Sequence, residues 1–224
     1  MDNELFAAVD AYISNLVAPE DDVLLAVQQS ARAAGLPDIS VSPSEGKFLH
    51  VLALLCNAKR ILEIGTLAGY SAIWMARALP RDGKLVTIEF DPAHADEARA
   101  NFTRAGLQDR ISLRVGKALE VLPRLQEEGE PPFDMIFIDA DKPGNPEYFS
   151  WALKLSRRGS VIIVDNVVRD GAVADAASRD PSMLGVRRLN ELIASEPRVS
   201  ATAIQTVGSK GYDGFALILL TGGP

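Results

Sequence analysis

A single cysteine and two histidines are spread through this 224-residue chain. One cysteine forbids an internal disulfide. Cys56 closes the apolar run Phe48 to Cys56 and reads as a small buried hydrophobe, not a nucleophile. His50 sits on the apolar side of a helix and His94 in a helix after Pro92; neither stands at a strand end, so neither is assigned chemistry. Positive charge is also short: 23 Lys and Arg against 30 Asp and Glu give a net charge of -7, which argues against a nucleic-acid partner. No apolar stretch reaches the roughly 18 residues needed to span a bilayer. The start, MDNELFAAVD, lacks the basic residues and apolar core of a signal peptide, so the expectation is a cytoplasmic protein with no membrane partner. No repeat, low-complexity tract or linker interrupts the chain. With 47% hydrophobic and 24% charged residues, it reads as one soluble domain over 1–224, a helical cap (1–58) on an α/β sheet core (59–224).

The chemistry concentrates in Phe133 to Asn166, FDMIFIDADKPGNPEYFSWALKLSRRGSVIIVDN. Two apolar runs of strand length, Met135 to Ile138 and Val161 to Val164, end in Asp139 and Asp165. Asn166 follows the second acid, and Lys142 stands three residues past the first. Between them Asn145 to Ser156 is long enough for one crossover helix, which makes the strands parallel and their carboxyl ends neighbours. Asp139, Asp165 and Asn166 therefore meet at one sheet edge beside an ammonium, where open α/β sheets bind ligands. Three oxygen donors suit a hard divalent cation: magnesium, or manganese or calcium.

Before the first strand, Leu5, Val9, Tyr12, Ile13 and Leu16 recur at helical spacing, with Asp2 as a candidate cap. A second helix starts at Pro19, with Val23, Leu24 and Val27 on one face; a third, Glu45 to Cys56, starts at Ser44. They cap the sheet or meet another subunit. Strands follow at Ile61 to Ile64, Leu85 to Ile88 (ended by Glu89) and Ile111 to Val115. Helices are expected at Tyr70 to Leu79, from Asp91 to Gly106, at Ala118 to Leu125 and at Ser182 to Ser195. Strands Val199 to Gln205 and Phe215 to Leu220, joined by the turn Val207 to Gly214, pair antiparallel because no crossover helix fits between them.

Ile61 to Ser71, ILEIGTLAGYS, puts an acid before a tight glycine turn and a helix N-terminus. The spacing is G-x-x-x-G, not the G-x-G-x-x-G of a dinucleotide fold, and Tyr70 stands where a Walker loop needs lysine. Glu63 and Asp139 would repel phosphates and suit a cationic, zwitterionic ligand; Glu89 stands where a carboxylate can accept both hydroxyls of a ribose. A nucleotide-cofactor oxidoreductase would want the missing glycines. A nucleic-acid methyltransferase would want a basic face and an N/D-P-P-Y run, and a non-catalytic binder would not need Asp139, Lys142, Asp165 and Asn166 together.

The motifs AKRILEIGTLAGYS, LVTIEFDP, FDMIFIDADK, IIVDNVVRDG and KGYDGFAL, between about Val41 and Leu220, resemble the cation-dependent, S-adenosylmethionine-using O-methyltransferases of the catechol and caffeoyl-CoA type. The resemblance implies a Rossmann-like class I methyltransferase fold, with seven mostly parallel strands, the last antiparallel. It implies metal ligands at Asp139, Asp165 and Asn166 and a catalytic lysine at Lys142. Cofactor contacts fall on Val41, Glu63, Gly65, Thr66, Ser71, Glu89, Ala118 and Asp139. It further implies a small phenolic substrate carrying vicinal hydroxyls, no nucleic acid, and a homodimer. Close relatives often carry an asparagine soon after the lysine of DADK; here the run is Lys142, Pro143, Gly144, Asn145, Pro146, which bears on the loop beside the acceptor. Asp38 to Ser42, Val168 to Gly185 and Gly208 to Gly214 are expected to line the acceptor pocket, and Asp141 reads as a loop or helix-capping acid.

Overall fold

The computed structural model describes residues 3–222. The capping role expected of Asp2 lies outside them. The helical cap holds α1 (Asn3–Val17), α2 (Asp22–Ala33) and α3 (Pro43–Leu55). The alternating part runs β1 (Arg60–Ile64), α4 (Tyr70–Ala78), β2 (Lys84–Glu89), α5 (Pro92–Arg104), β3 (Ile111–Val115), α6 (Ala118–Glu127), β4 (Phe133–Ile138), α7 (Asn145–Lys154), β5 (Ser156–Asp165), α8 (Pro181–Ser195), β6 (Val199–Gly208) and β7 (Gly211–Leu220). Short 3-10 turns at Lys142–Gly144 and Ala172–Ala174 interrupt the loops. Among the described residues no helix is long and apolar enough to cross a membrane.

The strand order is β3-β2-β1-β4-β5-β7-β6, with only β7 antiparallel to its neighbours. The chain builds outward from β1 through β2 and β3, then restarts on the other side of β1 with β4. That reversal places the switch point, and the ligand crevice, between the carboxyl ends of β1 and β4. Register then decides which residues share the edge. Ile88, Ile64, Ile138 and Val164 are paired across four strands. Each is followed by a residue of chemical interest, so Glu89, Gly65, Asp139 and Asp165 form one row. At about 4.8 Å per strand, three steps make the row roughly 14 Å long.

Alternation along the strands sends side chains to both faces, and helices cover both. Leu62, Ile64, Ile136, Ile138, Ile162 and Val164 meet residues of α6, α7 and α8 on one face. Ile61, Leu85, Met135, Phe137 and Ile163 meet α2, α3 and α4 on the other. All six residues of β4 are buried, as expected for a central parallel strand.

The second helix starts at Asp22, not Pro19, and β5 starts at Ser156, ahead of the expected Val161; two further differences lie near the site. The helix expected to start at Ser44 begins at Pro43, capped by Ser42, whose Oγ accepts from the Glu45 backbone at 3.2 Å. The turn expected over Val207 to Gly214 is instead a tight hairpin: β6 and β7 stay paired to Gly208 and Gly211, leaving two residues at the tip. Gly214 is needed inside the ladder, because a Cβ there would lie 2.3 Å from the Ile204 carbonyl oxygen. The apolar stripe of α1, Leu5, Val9, Tyr12, Ile13 and Leu16, is exposed, and the half-buried side of the helix holds Phe6, Asp10 and Ser14.

Candidate active site

Two cavities open at the carboxyl edge. The larger, about 890 Å³, is lined by Val41, Gly65, Thr66, Ser71, Glu89, Ala118, Asp139, Lys142 and Asn166. The smaller, about 510 Å³, is lined by Asp165 and Asn166, by Glu45 and Phe48 of α3, by the β6–β7 hairpin and by α1. Asn166 belongs to both. Of the expected site residues, Glu63 alone lines neither. The segment Asp38 to Ser42 contributes Ile39, Ser40 and Val41 to the larger cavity and Ser42 to the smaller. Arg169 and Ser182 face the larger; Gly208, Lys210, Gly211 and Asp213 face the smaller.

Backbone geometry builds the row. Gly65 has φ +102, and a Cβ there would stand 2.0 Å from the Asp139 carbonyl oxygen, so only glycine lets β1 turn so close to β4. Glu89 holds the loop that follows. One carboxylate oxygen accepts from the backbone N–H of Thr66 (3.1 Å) and Leu67 (2.8 Å), the other from Asp91 (2.9 Å). A carboxylate fixed by three donors keeps lone pairs directed at the cavity it lines. Glu89→Ala should therefore weaken cofactor binding by about 1.5–3 kcal/mol, the range for hydrogen bonds to a charged group. Titration calorimetry showing parental affinity in the folded variant would remove Glu89 from the site. His94, given no role from sequence, also lines this cavity, its Nδ1 3.6 Å from Glu89. His50 is far from it, against the Trp74 carbonyl.

Glu63 is fully buried and paired within the protein: Ser71 Oγ donates to it at 2.5 Å and Thr87 Oγ1 at 2.6 Å. Burial pushes its carboxyl up to about 8, opposed by those two hydroxyls and reinforced by the charges of Asp139 and Glu89. Its place is behind Ser71, which lines the cavity. A raised folded-state value means the native protein holds a proton that the unfolded chain has released. Stability should therefore fall as pH rises from about 4.5 towards 8, by at most about 1.4 kcal/mol per pH unit. Glu63→Gln should flatten that slope. Denaturant melts of both proteins at pH 5 and pH 8 check it, and parallel slopes would refute it.

Lys142 and the metal-ligand candidates come together at the other end of the row. Asp141 caps the 3-10 turn by accepting from the Gly144 N–H at 3.1 Å and from the Tyr148 hydroxyl, the capping role expected of it. The turn buries Lys142, whose Nζ lies 3.0 Å from Asp139 Oδ1. β5 ends with Asp165 accepting from the Asn166 N–H at 2.7 Å; Asn166 takes φ +57, a left-handed conformation asparagine tolerates well. Glu45, missed from sequence, stands beside them. Its carboxyl is hydrogen-bonded to the Ser42 backbone and to Asp165. The signal was available as a capping box, Ser42-x-x-Glu45, hidden by starting the helix two residues late. Burial, with the charge of Asp139, pushes Glu45 up to about 7, against the pull of its hydrogen bonds. Burial, then Glu45 and Asp139, raises Asp165, against the pull of Lys142. Among the described residues no three His, Cys, Asp or Glu side chains converge as a metal cluster. What this edge offers is two acids and an amide, in surroundings short of positive charge. That fits a hard cation.

The sequence profile of the O-methyltransferase family matches residues 14–219. A catechol O-methyltransferase of Niastella koreensis is 57% identical over 220 residues, 98% of this chain and 100% of that protein. One of Mycobacterium tuberculosis is 48% identical, covering 95% of this chain and 94% of that protein. Among solved structures, an O-methyltransferase from Bacillus cereus in complex with SAH superposes with a TM-score of 0.96 at 56% identity, over 97% of this chain and 99% of that one. TomG from Streptomyces achromogenes, involved in tomaymycin synthesis and bound to SAM, gives 0.96 at 53% identity, over 99% and 100%. Match and superposition both run through β1, β4 and β5, the strands whose ends carry the site. The chain belongs to the O-methyltransferase family.

Proposed function

We propose that the protein transfers the methyl group of S-adenosylmethionine to one hydroxyl of a small catechol, with a divalent cation at Asp139, Asp165 and Asn166. The observation that carries this reading is the pair of cavities meeting at Asn166 beside Lys142. The larger has the size for a nucleoside-containing cofactor. Glu89 would hold its ribose hydroxyls, while Val41, Thr66, Ser71 and Ala118 would line its path towards Asp139. The smaller would take the acceptor. Its apolar lining includes Phe48 and Phe215, with ring centroids 4.7 Å apart, and Val9 and Ile13 of α1. Its floor is the metal-ligand set, so an aromatic ring with two adjacent hydroxyls would be gripped at both ends.

A cation bound to those oxygens would act as a Lewis acid towards the acceptor hydroxyls. Lys142, which lines the larger cavity together with the shared Asn166, would take the acceptor's proton as the neutral amine, its own proton having gone to solvent. Asp139 orients that amine through the 3.0 Å contact. The cavity walls hold the reacting groups in line, which supplies most of the acceleration in such a displacement.

The test is a methyl-transfer assay with labelled S-adenosylmethionine and a panel of phenols. Catechols should be methylated and monophenols not; equal rates on both would overturn the reading. Exposed Tyr12, Leu16, Leu54 and Leu55 on the cap support a homodimer, which light scattering would register as twice the chain mass.

A further inference from the structure

Helix α1 forms one wall of the smaller cavity through Leu5, Phe6, Val9 and Ile13, yet none of its side chains is buried. Within one chain, hydrophobic burial therefore does little to set its position. Polar contacts do more. Asp10, on the inward side of the helix, accepts three hydrogen bonds from two other elements. Ser209, at the tip of the β6–β7 hairpin, donates through its backbone N–H at 3.0 Å and its Oγ at 2.6 Å. Ser44, in the first turn of α3, donates through Oγ at 2.9 Å. One turn along α1, the Ser14 hydroxyl lies 2.9 Å from that of Ser44. The hairpin backbone comes close enough that a Cβ on Gly208 would lie 3.1 Å from the Asp10 carboxylate. Burial alone would raise the Asp10 carboxyl; the bonds from Ser209 and Ser44, with the Ser14 hydroxyl nearby, outweigh it and hold the group below the ordinary carboxylate range.

We infer that Asp10 is the clasp of the acceptor cavity: it pins α1 to the hairpin and to α3, and so sets how tightly acceptors are held. This rests on reading the smaller cavity as the acceptor site. Charge-assisted hydrogen bonds are the strong ones, and a helix without buried side chains belongs to the low-stability end of a fold. Losing the clasp should open α1 locally and leave the core intact. The larger cavity takes none of its lining from α1, so cofactor binding should not respond.

The experiment compares the full chain with Asp10→Ala and Asp10→Asn. Hydrogen exchange across residues 3–17 should speed up by roughly tenfold or more in Asp10→Ala, with the strands unchanged. The acceptor KM should rise by roughly tenfold, while kcat at saturating acceptor and the cofactor Kd hold. Asp10→Asn keeps one acceptor oxygen and should fall between. A residue needed only for folding would not separate KM from kcat in this way. Unchanged exchange in Asp10→Ala would overturn the clasp, as would a loosened α1 with an unchanged acceptor KM. If the parent protein methylates no catechol, the functional reading fails, and exchange in α1 alone still decides whether Asp10 holds the helix.

Discussion

Replacing Lys142 by alanine should lower turnover by roughly 10²–10⁴-fold, the usual contribution of a positioned acid–base group. The lysine is buried on a capped turn, with Nζ 3.0 Å from Asp139. A solvated surface lysine would not be held this way. Cofactor affinity should change little, because Glu89, Ser71 and the Gly65 turn do not depend on it. The defect should also shrink for acceptors whose hydroxyls are more acidic, since those need less help losing a proton. Turnover measured at saturating metal against catechols of graded acidity separates the roles. A base gives a loss that falls with acceptor acidity. A lysine that only steadies Asp139 gives a changed metal requirement and no dependence on acidity. Turnover close to that of the parent would exclude both.

The parts of the fold legible in the sequence were those where one local signal sufficed. Met135 to Ile138 and Val161 to Val164 are unbroken apolar runs with acids at their ends, and the row Glu89, Gly65, Asp139, Asp165 follows once parallel pairing is assumed. What escaped depended on partners distant in the chain. Glu45 acts on Asp165, 120 residues later, from the first turn of a helix. Nothing in the local pattern of VSPSEGKF distinguishes that carboxylate from an ordinary capping residue. Glu63 stands inside β1, in register with Phe137 and two residues short of the row that holds Asp139, and its side chain points inward to Ser71 and Thr87. The α1 stripe located a helix but left open whether its apolar side chains cap the sheet or meet another subunit. Periodicity locates a helix, and here the apolar side chains serve a cavity wall and an exposed face. The glycines of the last hairpin show the same limit. The turn expected over Val207 to Gly214 is mostly ladder, and Gly214 fits inside it because a neighbouring carbonyl leaves no room for a Cβ.

Chelation should abolish methyl transfer, and magnesium or manganese should restore it. Glu45 and Asp165 are neighbouring acids that both feel the charge of Asp139, which the ammonium of Lys142 contacts at 3.0 Å. Burial and mutual repulsion push Glu45 and Asp165 towards their neutral forms, the response of an acidic site that lacks a counter-charge. A catechol hydroxyl with a pKa near 10, like that of tyrosine, is ionised in only about one part in 10³ at pH 7. Lys142 is already engaged by Asp139, and Lys210, which also lines the smaller cavity, lies 3.4 Å from Asp38. Removing a divalent cation from Asp139, Asp165 and Asn166 should thus reduce turnover by about 10³-fold or more. A second readout needs no acceptor. Because the ligands sit on β4 and β5 at the centre of the sheet, a cation bound there should raise Tm in proportion to the logarithm of its concentration, well above its Kd. Asp165→Ala should cancel both the Tm rise and the metal-dependent turnover while leaving S-adenosylmethionine binding near that of the parent, since Asp165 lines the other cavity. Full activity in excess chelator, or the same metal-induced Tm rise in Asp165→Ala, would take the cation out of this edge.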